Sequence, residues 1–142
     1  MTTITLPNNG TTITLNGYRC RNLAEGDNIT ITYPNARTGR VNSETGVSIH
    51  ERSDADVADI TISVQMYSDD DVQLNAFMNT DPLTIIEGSI KTRYTKNGET
   101  LNETFSISAA SITDQPEKTV NTQDGSAVMV YTLQSRTTKR AI

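Results

Sequence analysis

The run ADITISVQMYSDDDVQLNAFMN, residues 58–79, changes its period halfway along and so decides how the chain is to be read. In its first half Ile60, Ile62, Val64 and Met66 alternate with Thr61, Ser63, Gln65 and Tyr67. Side chains of a strand point to opposite faces in turn, so this alternation predicts a half-buried β-strand. From Ser68 the spacing turns helical. Val72, Ala76 and Phe77 fall at i, i+4 and i+5, Leu74 and Met78 flank them, and Pro82 stops the run. A strong strand running straight into one short helix, about residues 68–79, predicts a β-domain with a helix at its flank.

The acidic run at the junction needs an account. Ser68 is a favoured N-cap, and Asp69, Asp70 and Asp71 follow in the first helical turn, at the positive end of the helix dipole. There each carboxylate contributes a few tenths of a kcal/mol to about 1 kcal/mol. Ser68, Asp69, Asp70, Asp71, Val72 and Phe77 are therefore read as helix cap and packing residues. Asp54 and Asp56, in SDADVAD, have the D-x-D spacing that opens a calcium loop, but the central glycine and closing glutamate are missing. They lead into the strand as a solvated approach.

Working outward, β-signals dominate. TITL and TTITL flank Pro7-Asn8-Asn9-Gly10, whose Asn-Gly pair suits a tight hairpin turn. NITITY alternates Ile29 and Ile31 with threonines. IIEGSIKTRYT and TLNETFSIS flank Lys96-Asn97-Gly98-Glu99, a second Asn-Gly hairpin, and SAVMVYTLQSR follows the turn signal Gln123-Asp124-Gly125. In the second arm of that hairpin Leu101, Glu103, Phe105, Ile107 and Ala109 share one face. Thr100, Asn102, Thr104, Ser106 and Ser108 share the other, small and polar throughout.

At 142 residues the chain reads as one domain, residues 1–142. Hydrophobic residues make up 35% and aromatics 5%, with no Trp, so a lone subunit has a modest core and gains from burying surface against copies of itself. Net charge is −5, which argues against a DNA binder built on a basic patch. One Cys and one His exclude an internal disulfide and a zinc-ligand set, and no stretch is apolar enough for a membrane span. The start lacks the basic and apolar regions of a signal peptide, so synthesis in the cytoplasm is expected.

Catalytic templates are missing too. There is no G-x-S-x-G elbow or P-loop, and His50, in GVSIHERSD, is the only imidazole. An exposed strand histidine is its simplest reading, and Cys20 reads as a small packing residue. No catalytic, cofactor-binding or metal residues are assigned.

PNARTGRVNSETGVSIHERSDAD, about residues 34–56, is long, polar and of mixed charge. Connections beyond about 12–15 residues are uncommon in compact domains. Val47 and Ile49 hint at an extended piece within it. A mixed-charge β-arm is a device for gripping a neighbour, through Arg37, Arg40, Glu51, Arg52, Asp54 and Asp56.

The order GDNITITYP, then TGRVNSETGVSIHERSDADVADITISVQMYSDDDVQLNAF, then IEGSIKTRY with NGET, then SITDQPEKTVNTQDGSAVMVYTLQSR, resembles the tail tube proteins of long-tailed, contractile-tailed bacteriophages. The resemblance runs from about Glu25 to the C-terminus. It implies an antiparallel β-sandwich or barrel with one flanking helix and a long loop, an architecture shared with contractile injection and type VI secretion tubes. It also implies hexameric rings, stacked into a tube in the virion tail, that conduct DNA into the host without binding it specifically. Sheath, tape-measure and baseplate or tail-terminator proteins are the implied partners, with no cofactor. On this reading Glu87, Ser89, Lys91 and Arg93, with Thr100, Asn102, Thr104, Ser106 and Ser108, face the channel, and the basic end RTTKRAI adds a contact to an acidic patch. Two rivals stay open: a tail-tip or surface β-sandwich that binds a glycan or receptor, and a small enzyme acting through His50 or the aspartates.

Overall fold

The structure, a computed structural model, describes residues 1–7, 10–24, 28–52, 56–118 and 127–142. The elements in chain order are β1 (Ile4–Thr5), β2 (Thr11–Leu15), β3 (Tyr18–Arg19), β4 (Ile29–Thr32), β5 (Thr38–Asn42), β6 (Ser48–Arg52), β7 (Ala58–Gln65), α1 (Asp69–Asn79), β8 (Ile86–Lys96), β9 (Glu99–Asp114), β10 (Val128–Ser135) and β11 (Arg140–Ala141). The main sheet runs β3-β2-β8-β9-β10-β7-β4, with β1 on β8 and β11 on β9; β5 and β6 form a separate ribbon. All the pairings are antiparallel. The described residues are mainly β with one short helix, folded as a sandwich, and the sheet does not close into a barrel.

β9 makes the sandwich possible. Its first part pairs with β8, from Lys96↔Glu99 to Gly88↔Ile107, and its last part pairs with β10, Leu133↔Ile112. Between them the ladder slips at Ile86/Gly88 and Ala109 takes a positive φ of 50°. This bulge bends the strand so that its two halves belong to facing layers. It also shifts the alternation by one: Ala110 is buried and Ala109 exposed, where unbroken alternation predicts Ala109 inside.

The core lies between the layers. Ile60, Ile62 and Val64 of β7 with Tyr131 and Leu133 of β10 face Ile13 and Leu15 of β2, Ile86 and Ile90 of β8 and Ile107 of β9. Each fully buried aliphatic side chain here contributes roughly 1.5–3 kcal/mol. Gly88 lets β2 approach β8: a Cβ there would lie 1.9 Å from the Thr14 carbonyl oxygen.

Two expectations need correction. β1 and β2 do not pair with one another. They lie end to end along β8, Ile4↔Lys96 and Thr5↔Thr95, then Thr11↔Thr92 to Leu15↔Gly88. The eleven-residue β8 is long enough to seat both. The hairpin turn of this region is instead Asn16-Gly17, with φ of 50° and 82°, which folds β3 onto β2. Asn8 and Asn9, and the predicted turn at Gln123-Asp124-Gly125, lie outside the described residues. Asn97-Gly98, with φ of 51° and 80°, joins β8 to β9 as expected.

The second correction concerns the inward face of α1. Val72 is 64% exposed and Ala76 is exposed, whereas Asp70 and Leu74 are fully buried and Phe77 and Met78 pack against the core. A tight turn from β7, with Tyr67 at φ 65° and the Ser68 amide donating to the Gln65 carbonyl, sets the rotation of the helix. The inward stripe is i, i+4, i+7 and i+8 from Asp70, and it includes a carboxylate that hydrophobic patterning passes over.

Candidate assembly surfaces

The aspartates at the start of α1 fasten the fold. Ser68 is the N-cap, its hydroxyl accepting from the Asp71 amide at 3.4 Å, and the Asp71 carboxylate accepts from the Tyr67 amide at 2.9 Å. Asp71 also accepts from the Tyr131 hydroxyl at 2.6 Å, tying the helix to β10. Asp70 accepts from the Tyr18 hydroxyl at 2.8 Å and from the Arg21 and Asn22 amides at 3.1 and 2.6 Å. Asp69 is exposed. Burial and the Asp70 hydrogen bond push the Tyr18 phenol up to about 12. Burial, with the Asp70 charge second, pushes the Cys20 thiol up to about 12. Tyr131 is raised likewise, by burial and then by Asp71. The Tyr18 and Tyr131 hydroxyls stay protonated at neutral pH and keep their hydrogen bonds to Asp70 and Asp71. Among the described residues no three His, Cys, Asp or Glu side chains gather to hold a metal. No helix among them is long and apolar enough to cross a membrane.

The polar side of the β8–β9 hairpin is a wall. Residues directly opposite in an antiparallel pair share a face. The register sets Ser89 beside Ser106, Lys91 beside Thr104 and Arg93 beside Asn102, with Thr95 and Thr100 at the tip. β2 extends the wall with Thr12 beside Lys91 and Thr14 beside Ser89, and β3 adds Arg19 beside Thr14. Glu87 and Ser108 sit instead at the bulge. The Glu87 carboxylate accepts from the Ala109 amide at 3.1 Å, and the Ser108 amide donates to the Thr137 carbonyl at 3.2 Å. Arg19 was not among the residues expected here; the Asn16-Gly17 pair that registers β3 on β2 was the signal for it.

The segment between β4 and β7 is an arm. β4 and β7 pair antiparallel, Thr32↔Asp59, so the arm is the long connection of a hairpin. Within it β5 and β6 pair from Thr38↔Arg52 to Asn42↔Ser48, and every residue of both strands is exposed. Val41 faces Ile49 across the ribbon, at 60% and 57% exposure, and Val47 at the turn is 57% exposed. The other face carries Arg40, opposite His50, and Arg52. Arg40 donates to the Asn42 side chain at 2.9 Å.

Arg37 and Asp56, expected to reach a neighbouring subunit, are engaged at the root of the arm. Asp56, 8% exposed, pairs with Arg37 at 3.4 Å and with Lys139 at 3.7 Å. Its carbonyl accepts from the Thr138 amide at 2.9 Å, and the Tyr33 hydroxyl donates to the Thr138 carbonyl at 3.0 Å. The basic C-terminus is thus used within the chain: Lys139 clasps the root and Arg140 pairs with Glu103. Arg40, Glu51 and Arg52 make no ion pair with any described residue. Asp54 lies outside the described residues.

No family model matches the chain, and no curated protein resembles it in sequence. Solved structures match it in fold. A chain of the anti-feeding prophage cap, a tube-terminating cap, superposes with a TM-score of 0.64 at 16% identity, over 96% of this chain and 90% of that one. A chain of the extended sheath–tube complex of PVC, an extracellular contractile injection system, gives 0.66 at 13% identity, over 96% and 90%. One from the sheath/tube terminator of the same system gives 0.65 at 14%, over 96% of each. The fold is shared with these particles.

Proposed function

We propose that the chain is a structural subunit of a tail-like tube. Copies close side by side into rings, six to a ring, the polar wall lines the channel, and the arm locks each subunit onto its neighbours in the ring or the next ring. A head-to-tail interface that closes and then stacks produces such a tube and removes unpaired strand edges. The particle is read as the tail of a long-tailed bacteriophage, with a sheath outside, a tape-measure protein inside and a genome as cargo. The subunit does no chemistry.

The observation that carries this reading is the arm. A two-stranded ribbon is at best marginally stable alone in water. This one exposes both faces and leaves Val41, Val47 and Ile49 uncovered. Docked on another copy, each of the three would contribute roughly 1.5–3 kcal/mol if fully buried. The fold shared with tube-terminating and sheath–tube assemblies supports the same reading. It also supports a second: because two of those structures are a cap and a terminator, the chain is alternatively an end ring that closes a tube.

Electron microscopy of the purified protein, with its solution mass, tests this. Stacked tubes uphold the tube subunit, and single rings the end ring. A particle that stays monomeric at high concentration overturns both. Replacing Val41 and Ile49 by Ser is expected to abolish assembly while leaving the melting temperature within about 2 °C, since both side chains are exposed in the lone chain. Assembly undiminished in that variant removes the arm from the mechanism.

A further inference from the structure

We infer that the polar wall is a contact surface for the phosphate backbone of nucleic acid, held without regard to base sequence. This deepens the tube reading and rests on it only for the ring that would multiply the contact; the surface belongs to a single chain.

The chain is acidic, yet this face is not. Among the described residues, Arg19, Lys91 and Arg93 lie on the wall, and Glu87 is the acidic residue at its margin, turned onto the Ala109 amide. All three basic side chains are exposed, and none pairs with a carboxylate among the described residues. Lys91 and Arg93 stand about 7 Å apart along β8, and β3 lies about 10 Å across the sheet from β8. Arg19 is level with Ser89, which puts it about 12 Å from Lys91 and about 17 Å from Arg93, so the three charges act together on one polyanion at low salt, where the Debye length reaches about 30 Å.

What lies between the charges chooses the partner. Thr12, Thr14, Ser89, Thr104, Ser106 and Asn102 offer hydroxyl and amide donors in register with the cations. Arg, Lys, Ser, Thr and Asn are the side chains that contact phosphate oxygens in protein–DNA interfaces. The wall has no aromatic side chain on which a base could stack, so single-stranded bases find no platform there. At one end the wall borders an open cavity of about 600 Å³, where Thr12, Arg19 and Arg93 meet Leu6, Pro7, Leu23 and Ala24, so an acidic protein segment is the rival that the poly-glutamate arm of the test separates from nucleic acid. The net negative charge of the chain opposes a polyanion, so contact at this face is weak and strongly salt-dependent.

The test is fluorescence anisotropy of a labelled duplex of about 30 base pairs, titrated with purified protein at low and rising salt. Lys91→Gln with Arg93→Gln is expected to weaken binding about tenfold or more at low salt. It should also flatten the slope of log K against log salt by about 1.8, at about 0.9 for each lost phosphate contact. Lys96→Gln, on the same strand but the opposite face, is the matched control and is expected to bind as the parent does. Equal loss in the control and the double variant overturns the proposal, as does an absence of binding by the parent at low salt. Poly-glutamate bound as tightly as the duplex overturns the assignment to nucleic acid. Microscopy of the same samples judges assembly separately: a double variant that forms rings but has lost DNA upholds the inference, and a parent that binds DNA yet never assembles upholds it while sinking the tube reading.

Discussion

Replacing Asp70 tests whether the acidic run holds the fold together or merely caps a helix. The Asp70 carboxylate is fully buried and accepts three hydrogen bonds, from the Tyr18 hydroxyl and from the Arg21 and Asn22 amides. Removing an acceptor costs about 1–3 kcal/mol for each buried donor left unsatisfied. Arg21 is exposed and Asn22 half-buried, so water relieves part of that cost. Asp70→Ala is therefore expected to lose about 3–4 kcal/mol, or roughly 6–16 °C in melting temperature for a domain of this size. Asp70→Asn keeps one oxygen for Tyr18 and Arg21 but sets an N–H against the Asn22 amide, so about 2 kcal/mol is expected. Asp69→Asn, at an exposed site facing only the helix dipole, should stay within about 0.5 kcal/mol. Urea unfolding followed by circular dichroism reads all three. Asp70→Ala within about 1 kcal/mol of the parent, or no worse than Asp69→Asn, would refute the clamp.

Two further outcomes are expected. Gly88→Ala drives a Cβ into the β2 backbone at Thr14 and should cost about 3 kcal/mol, the upper end for overpacking, seen as a lower urea midpoint at unchanged slope. Stability should also fall in alkali. The Cys20 and Tyr18 values are raised in the folded state, from 9.0 and 10.0 to about 12, so the unfolded chain releases these protons first. Their contribution is complete below about pH 9 and is lost as pH rises towards 12. Cys20→Ala should flatten the early part of that decline, and a urea midpoint unchanged between pH 8 and 11 would contradict the raised values.

Much of the fold was legible where period two runs unbroken. The β7 alternation and the Asn97-Gly98 hairpin needed only local pattern and turn chemistry. The errors arose where tertiary partners overrode local signals. A long β8 took β1 and β2 in line, and the bulge at Ala109 shifted one alternation. At α1 the apolar pattern favoured Val72, because no pattern anticipates a buried Asp whose donors come from the distant Tyr18–Asn22 segment. The flat part of the polar wall was readable from alternation alone, whereas Arg19 needed the Asn16-Gly17 turn. The arm was visible as a long polar segment. That Arg37 and Asp56 clasp its root depends on Thr138 and Lys139 at the far end of the chain, a juxtaposition only the fold creates.

On β8 and β9 adjacent residues carry different duties. Ile90, Phe105 and Ile107 hold the layers together, while their neighbours Ser89, Lys91 and Thr104 face outward, away from the core. The wall can therefore change its chemistry by single substitutions without repacking the interior. In a lineage of such proteins, this surface can drift towards neutral, acidic or basic while the scaffold is inherited unchanged. Surface and architecture can evolve on separate clocks, because a strand turns its back on every second residue.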